Sequence, residues 1–273
     1  MKKSFRLSII IVTWNTADIT LKCVQTIKKY LSGLEYEIII ADNGSEDDTV
    51  IKLKNEGGLI VIENKANLGF GKGNNIAASK ASGDYLLFLN SDMELIDNQL
   101  ANMFNYISTH NEIGLIGPKF LNIDGSDQGS VFPSQSLSNA FKEFWCGQKT
   151  YSKYVPESNK PVEVWSVSGG AVMVKRELFE KVGTWDKRYF MFYEDLELCR
   201  QIKKLGYKIY YYPECRLIHR HGASGKSLAN AGDQWRRLIP SSKIYHGVVK
   251  HYLLFLIIWS GQKWQKIKSL FLK

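Results

Sequence analysis

Four short apolar runs, spaced so that a helix fits between each pair, set the strongest constraint on this chain. Residues 7–14 read LSIIIVTW, 36–41 read YEIIIA, 59–63 read LIVIE and 85–89 read YLLFL. Continuous aliphatic and β-branched runs of this length belong to strands buried on both faces. Helical patterns fill the intervals: residues 17–31, a helix capped by Ser45 and running to about residue 55 with Asp47 and Asp48 in its first turn, and residues 73–81. A βαβαβαβ order implies a mostly parallel, twisted sheet flanked by helices. In such sheets ligands bind beyond the C-terminal ends of the strands. That rule selects four polar segments: Thr13-Trp14-Asn15, Asp42-Asn43-Gly44-Ser45, residues 64–74 and Asn90-Ser91-Asp92.

The second half is less regular. Residues 113–120 read as a strand, 122–154 as a polar, aromatic-rich connection, and 162–174 as strand interrupted by Ser168-Gly169-Gly170. Residues 176–182 and 196–205 read as helices, and 208–212 as a strand ended by Pro213. No repeat and no linker separates two bodies. The expected organisation is one α/β domain over 1–233, followed by a basic, apolar extension over 234–273.

Charge separates these parts. The 273 residues hold 36 Lys and Arg against 27 Asp and Glu, a net charge of +9. From Gln234 onward there is no acidic residue, while Arg236, Arg237, Lys243, Lys250, Lys263, Lys266, Lys268 and Lys273 are basic. The rest of the chain is therefore nearly neutral, which argues against a nucleic-acid-coating surface and for a local anionic partner of the tail. Residues 252–259 (YLLFLIIW) are far shorter than the roughly 20 residues that span a bilayer. With tryptophans and lysines around them they read as an interfacial segment on anionic lipid. Packing on the body or on a second copy, giving a homodimer, is the competing reading. Cys23, Cys146, Cys199 and Cys215 show no metal-binding spacing and read as free thiols of a reducing compartment. No secretory leader pattern is seen at the start, so a cytoplasmic protein is expected.

Four constellations carry candidate chemistry. Asp42 and Asp92 each follow a buried strand, and Asn90 with Asp92 can present an amide and a carboxylate to one ligand. Hard oxygen donors of this kind suit Mg²⁺ or Mn²⁺ on phosphates. The run Asn67-Leu68-Gly69-Phe70-Gly71-Lys72-Gly73 is either a structural turn or a close approach to an anion at a helix start. Its spacing and position disagree with a dinucleotide fingerprint. Glu194-Asp195, behind four bulky residues, is either a helix cap or a desolvated general base. His219 and His221 are each a metal-ligand candidate or an ordinary histidine.

Taken in chain order, these segments resemble the inverting family 2 glycosyltransferases of the GT-A fold. The resemblance covers residues 5–225, with a nucleotide-sugar half over about 1–120 and an acceptor half over about 121–233. It is greatest toward bacterial rhamnosyltransferase-like enzymes of surface-polysaccharide assembly. The resemblance implies that Thr13, Asn15, Asp42, Asn67, Gly69, Asn90 and Asp92 bind a dTDP- or UDP-sugar. It implies that Ser168, Gly169, Gly170, Trp185 and Asp186 meet a lipid-linked glycan acceptor. Asp92 and His219 are then the metal ligands, His219 being preferred over His221 through the pattern His219-x-x-Gly222-x-Ser224. Asp195, beside Glu194, is the base. Asn90 stands where the family's DxD-type motif begins with Asp, which removes one charge from the metal site. The remaining alternatives are a UDP-hexose donor, a nucleotidyltransferase, which lacks its usual glycine-rich loop here, and an inactive sugar-binding protein.

Overall fold

A computed structural model describes residues 6–220 and 234–271. The chain runs β1 (Leu7–Thr13), α1 (Ala17–Tyr30), β2 (Tyr36–Asp42), α2 (Thr49–Glu56), β3 (Ile60–Glu63), α3 (Phe70–Ala78), β4 (Tyr85–Asn90), β5 (Met93–Leu95) and α4 (Gln99–Thr109). It continues β6 (Ile113–Leu121), β7 (Asp127–Gln128), β8 (Val131–Phe132), α5 (Leu137–Cys146), β9 (Val162–Val164), β10 (Ser166–Val167), β11 (Ala171–Lys175), α6 (Arg176–Lys181), α7 (Glu194–Lys204) and β12 (Lys208–His219). Two further helices, α8 (Gln234–His246) and α9 (Val248–Phe271), form the tail.

The main sheet has the order β3-β2-β1-β4-β11-β6-β12-β5. The first four strands are parallel, as the buried runs require, and β11 enters antiparallel between β4 and β6. Chain order reverses between β1 and β4, so the crevice at their C-terminal ends is the switch point where such folds bind ligands. Side chains of alternate residues fill two cores. Ile9, Ile11, Leu87 and Leu89 face α1 and α4, while Ile10, Phe88, Val172 and Val174 face Phe179, Trp185 and α7.

Four expectations about local structure are corrected. The second helix starts at Thr49, not at Ser45, because Ser45 is bonded to Asp42 and the capping position falls to Asp48. Residues 122–154 are not simply a connection: α5 lies within them. Ser136 accepts the Asn139 amide at its start (3.1 Å), and Gly147, at φ +77°, returns its amide to Glu143 at its end. Pro213 does not end the last strand. The register slips between Tyr212 and Arg216, so the proline sits in the irregularity and the strand resumes to His219. Trp185, expected at the acceptor, has no exposed surface. Its ring packs edge-on against Phe70 (5.3 Å) and Phe88 (5.1 Å) in the second core.

The tail packs on the body. Trp145 of α5 donates its indole N–H to the Ile257 carbonyl (3.2 Å) and stacks on Trp264 (6.1 Å, 17°). The opposite face of α9 stays open, with Tyr252, Phe255, Leu256, Trp259 and Leu270 exposed. Among the described residues no helix is long and apolar enough to cross a membrane.

Deleting the Trp185 ring should cost about 3–5 kcal/mol of stability, the range for a large aromatic cut to Ala in a packed core. Urea denaturation of Trp185→Ala, read as a lower midpoint at an unchanged slope, checks this.

Candidate active site

Two loops close the β1–β2 side of the crevice. Asn15, at φ +51°, donates its amide to Ser45 Oγ (2.8 Å) and accepts from the Glu46 amide through Oδ1 (2.8 Å). Asp42 is buried, and its carboxylate takes the Gly44 amide (3.1 Å), the Ser45 amide (2.9 Å) and the Ser45 hydroxyl. A carboxylate has about four acceptor sites, so Asp42 keeps one to offer a ligand. Thr13 is buried and turned toward α1, bonded to Thr16 (2.9 Å) and Thr20 (2.7 Å). The three expected donor-site residues are thus brought together, but Thr13 faces inward and Asp42 is mainly a loop former.

The glycine segment follows the same logic. Gly69, at φ +81°, lies so close to residue 190 that a Cβ would fall 2.4 Å from the Phe190 carbonyl. That carbonyl accepts the Phe70 amide (2.9 Å), and Asn67 Oδ1 accepts the Gly69 amide (3.0 Å). Gly71 backs onto Trp185 and Gly73 onto Val12. These glycines therefore serve approach of chain to chain, tying α3 to the loop that leads into α7.

At the centre of the crevice the two halves meet. The Asn90 amide donates to the Gly170 carbonyl (2.8 Å), and the neighbouring Gly169 amide donates to Asp195 Oδ2 (2.9 Å). Asp195 Oδ1 takes the amide of Leu196 (2.8 Å), so both oxygens are oriented while the residue stays partly exposed. Glu194 is buried, and its Oε2 has no hydrogen-bond partner among the described residues. Burial, then the adjacent Asp195 carboxylate, push the Glu194 carboxyl well above the usual glutamate range. Two neighbouring carboxyls are thereby divided, one buried and favoured in its protonated form, one exposed to the crevice.

Lys153, which carried no motif, is a further member. Its ammonium reaches Ser168 Oγ (3.0 Å) and lies 4.7 Å over the Phe132 ring. Burial lowers its affinity for the proton, opposed by the Asp195 and Glu194 carboxylates. Asp186 lies apart from this cluster, its carboxylate held in a fork by Arg188 at 2.6 and 3.0 Å.

Asp92 and His219 are delivered by antiparallel pairing of β5 with β12, in which His219 stands opposite Met93. His219 Nε2 lies 3.4 Å from Asp92 Oδ1, and Nδ1 lies 2.6 Å from Gln128 Oε1. Gln128 donates through Nε2 to Asn122 Oδ1 (2.9 Å), so its Oε1 is left to accept. Nδ1 therefore donates to Gln128, and Nε2 is the ring nitrogen that faces Asp92. An imidazole nitrogen and a carboxylate oxygen on one spot suit a divalent cation whose other ligands come from phosphate and water. Among the described residues no group of three or more His, Cys, Asp or Glu side chains forms a fuller cage. His221, Gly222 and Ser224 lie outside the described residues.

The glycosyl transferase family 2 profile matches residues 8–183. The chain belongs to this family. It is a glycosyltransferase, and its fold is of the GT-A type. Among its relatives, an N-acetylglucosaminyl-diphospho-decaprenol L-rhamnosyltransferase of Mycobacterium tuberculosis is 26% identical over 206 residues, covering 68% of this chain and 67% of that one. Rhamnosyltransferase WbbL of Escherichia coli is 28% identical over 225 residues, covering 77% and 84%. The O-antigen biosynthesis protein RfbC of Myxococcus xanthus is 30% identical over 164 residues, and the match spans only 13% of its length. Among solved structures, GalNAc-T7 with UDP, GalNAc and Mn²⁺ superposes with a TM-score of 0.63 at 22% identity, covering 79% of this chain and 43% of that one. The Pyrobaculum calidifontis mannosyltransferase with GDP-Man and Mn²⁺ gives 0.59 at 17%, covering 92% and 64%.

Two outcomes test the site's electrostatics. A carboxyl whose proton affinity rises on folding costs stability as pH climbs above its unfolded value of about 4.5. Glu194→Gln should therefore be increasingly more stable than the parent from pH 5 to pH 8, read by chemical denaturation at each pH. Gln128→Ala should release the tautomer of His219, seen by ¹⁵N NMR as loss of the single protonated Nδ1 form.

Proposed function

We propose that the enzyme is an inverting rhamnosyltransferase that moves a sugar from a nucleoside-diphosphate donor to a hydroxyl of a polyprenyl-diphosphate-linked glycan. The observation that supports the reading is the junction at Gly169-Gly170, where one glycine holds the Asp195 carboxylate and the next holds the Asn90 amide at the end of β4. The rhamnosyltransferase activities named for the mycobacterial and E. coli relatives support rhamnose and, for the former, a lipid diphosphate acceptor.

In this reading Asp195 takes the proton from the acceptor hydroxyl as that oxygen attacks the anomeric carbon. The nucleoside diphosphate leaves from the opposite face, so the configuration inverts in one displacement. Glu194, buried behind it and with its proton affinity raised by burial, stays out of contact with the acceptor. Lys153, its proton affinity lowered by burial and supported by the neighbouring carboxylates, holds the wall on the acceptor side through Ser168. Asn90 and Asp92 lie at the sugar and diphosphate, and Asp92 with His219 would hold Mg²⁺ or Mn²⁺. When bound there, the cation supplies Lewis-acid neutralisation of the leaving diphosphate. The solved neighbours named above contain Mn²⁺, which supports this ligand set.

The open face of α9 completes the reading. Its first turns expose Tyr252, Phe255, Leu256 and Trp259 without a charge between them, and Lys263, Lys266 and Lys268 follow. That order suits a helix lying on the cytoplasmic face of an anionic membrane, where a lipid-linked acceptor resides.

Four measurements decide. Asp195→Asn should lower transfer by about 10²–10⁴-fold, the span of a lost general base, with donor affinity by calorimetry retained. Normal turnover in that variant refutes the base. Asp92→Ala should lose the EDTA-sensitive part of donor affinity, and equal binding with and without EDTA in the parent removes the metal role. Release of dTDP or UDP across a panel of nucleotide sugars identifies the donor, and a UDP-hexose giving the fastest release replaces rhamnose. Phe255→Ser with Trp259→Ser should abolish pelleting with phosphatidylglycerol vesicles. Undiminished pelleting, or a dimer-to-monomer change instead, reassigns the face to a second copy.

A further inference from the structure

We infer that α8, the first helix of the basic tail, positions Asp195 by holding the left-handed Phe192-Tyr193 turn from which α7 begins. The inference rests on the reading of Asp195 as base and extends it to residues outside the crevice.

Phe192 and Tyr193 sit consecutively at φ +72° and +69°, a region that side chains with a Cβ rarely adopt. They stand immediately before Glu194 and Asp195, so the direction of both carboxylates depends on those two angles. No glycine relieves the turn, and such a conformation persists only where its surroundings enforce it.

α8 supplies that enforcement on both sides of the pair. Before the turn, Ser241 Oγ donates to the Met191 carbonyl (2.8 Å). At the turn, the Tyr193 ring packs against Tyr245 (5.3 Å) and edge-on to His246 (5.5 Å), and its phenol faces Ser242 and Tyr151. His246 is half-buried, its two ring nitrogens are buried and without a hydrogen bond among the described residues, and its pKa is pushed down to about 4, so it acts here as a neutral ring. After the pair, Arg200 of α7 donates to the Tyr245 carbonyl (3.2 Å), with its guanidinium 4.5 Å over the Tyr245 ring. An arginine on one of the last carbonyls of a helix satisfies an acceptor that the helix itself leaves open. Glu197 pairs with the same guanidinium and fixes it on α7.

The strand ends of β1, β2 and β4 at the donor end receive none of these contacts, and the donor-side segment meets this loop at the Phe190 carbonyl, before the turn. Loss of the α8 contacts therefore lets the turn relax and swings Asp195 off the Gly169 amide while the donor site stays formed. A displacement near 1 Å at a reacting group is enough for about a hundredfold loss of rate.

The test uses the full chain with dTDP-rhamnose and a solubilised polyprenyl-diphosphate acceptor. Tyr245→Ala and Tyr193→Ala should lower kcat by about 10–100-fold with donor KM within about twofold of the parent. Tyr193→Phe, which keeps the ring on α8, should lose less than Tyr193→Ala, and Tyr193→Gly should exceed Tyr193→Ala, because glycine adopts the turn at no steric cost. Amide hydrogen exchange of Tyr245→Ala, which needs no substrate, should accelerate over residues 190–197 and stay unchanged over β1 and β4. A Tyr245→Ala enzyme with parental kcat or parental exchange overturns the inference, as does equal loss in kcat and donor affinity. Asp195→Asn run in parallel separates the two levels. If it turns over normally, the base reading fails and this inference falls with it. If it is inactive while Tyr245→Ala is not impaired, only the positioning role is lost.

Discussion

The adjoining peptide groups of Gly169 and Gly170 are the joint on which the crevice depends. One donates to Asp195 and the other accepts from Asn90, so two residues tie a carboxylate from α7 to the end of β4. The joint lies at the entry to β11, which runs antiparallel to both β4 and β6. A side chain at Gly169 would press on the Asp195 Cβ at 3.1 Å, and one at Gly170 would meet Met93 at 2.8 Å. Small residues are therefore required here by the closeness of the two halves.

The same economy runs through the rest of the site. Asn15 stitches the β1 loop to the β2 loop, Gly69 lets α3 lie against the Phe190 carbonyl, and Gln128 sets the ring of His219. Polar residues expected to touch ligands largely hold the loops that carry them. Preorganisation of this sort fixes reacting groups before substrate arrives, which is where most of an enzyme's electrostatic advantage lies. The tail extends the pattern: α8 grips the turn before Asp195, and α9 covers α5 while leaving an apolar face outward.

Much of this was legible in the residues alone. The buried runs of β1, β2 and β4 gave the parallel half of the sheet, and the polar strand ends gave the crevice, because burial on both faces leaves an unmistakable apolar pattern. The motif order gave the family. Other parts were misread for identifiable reasons. Trp185 looked like a binding aromatic because sequence does not tell which side of a loop a ring occupies. Pro213 looked like a strand end because a bulge that accommodates it has no local signature. Helix α5 was readable, with Ser136 at its cap and apolar residues at 137, 140, 141, 144 and 145, but the surrounding polar residues obscured it. Lys153 and Gln128 carried no motif, since their partners lie 15 and 91 residues away.

The sequence by itself determined the parallel strands β1 to β4, the switch-point crevice, the identity of the acidic and histidine candidates and the concentration of positive charge after residue 234. Each follows from local composition and periodicity, which are properties of neighbouring residues. Only the tertiary structure decided that Asp195 reaches the crevice while Glu194 is buried, and that His219 meets Asp92. The same holds for the docking of α8 on a strained turn. These depend on long-range pairing, β12 beside β5 and α8 beside α7, where hydrogen bonds and burial between distant segments choose one orientation for side chains that the local chain leaves free.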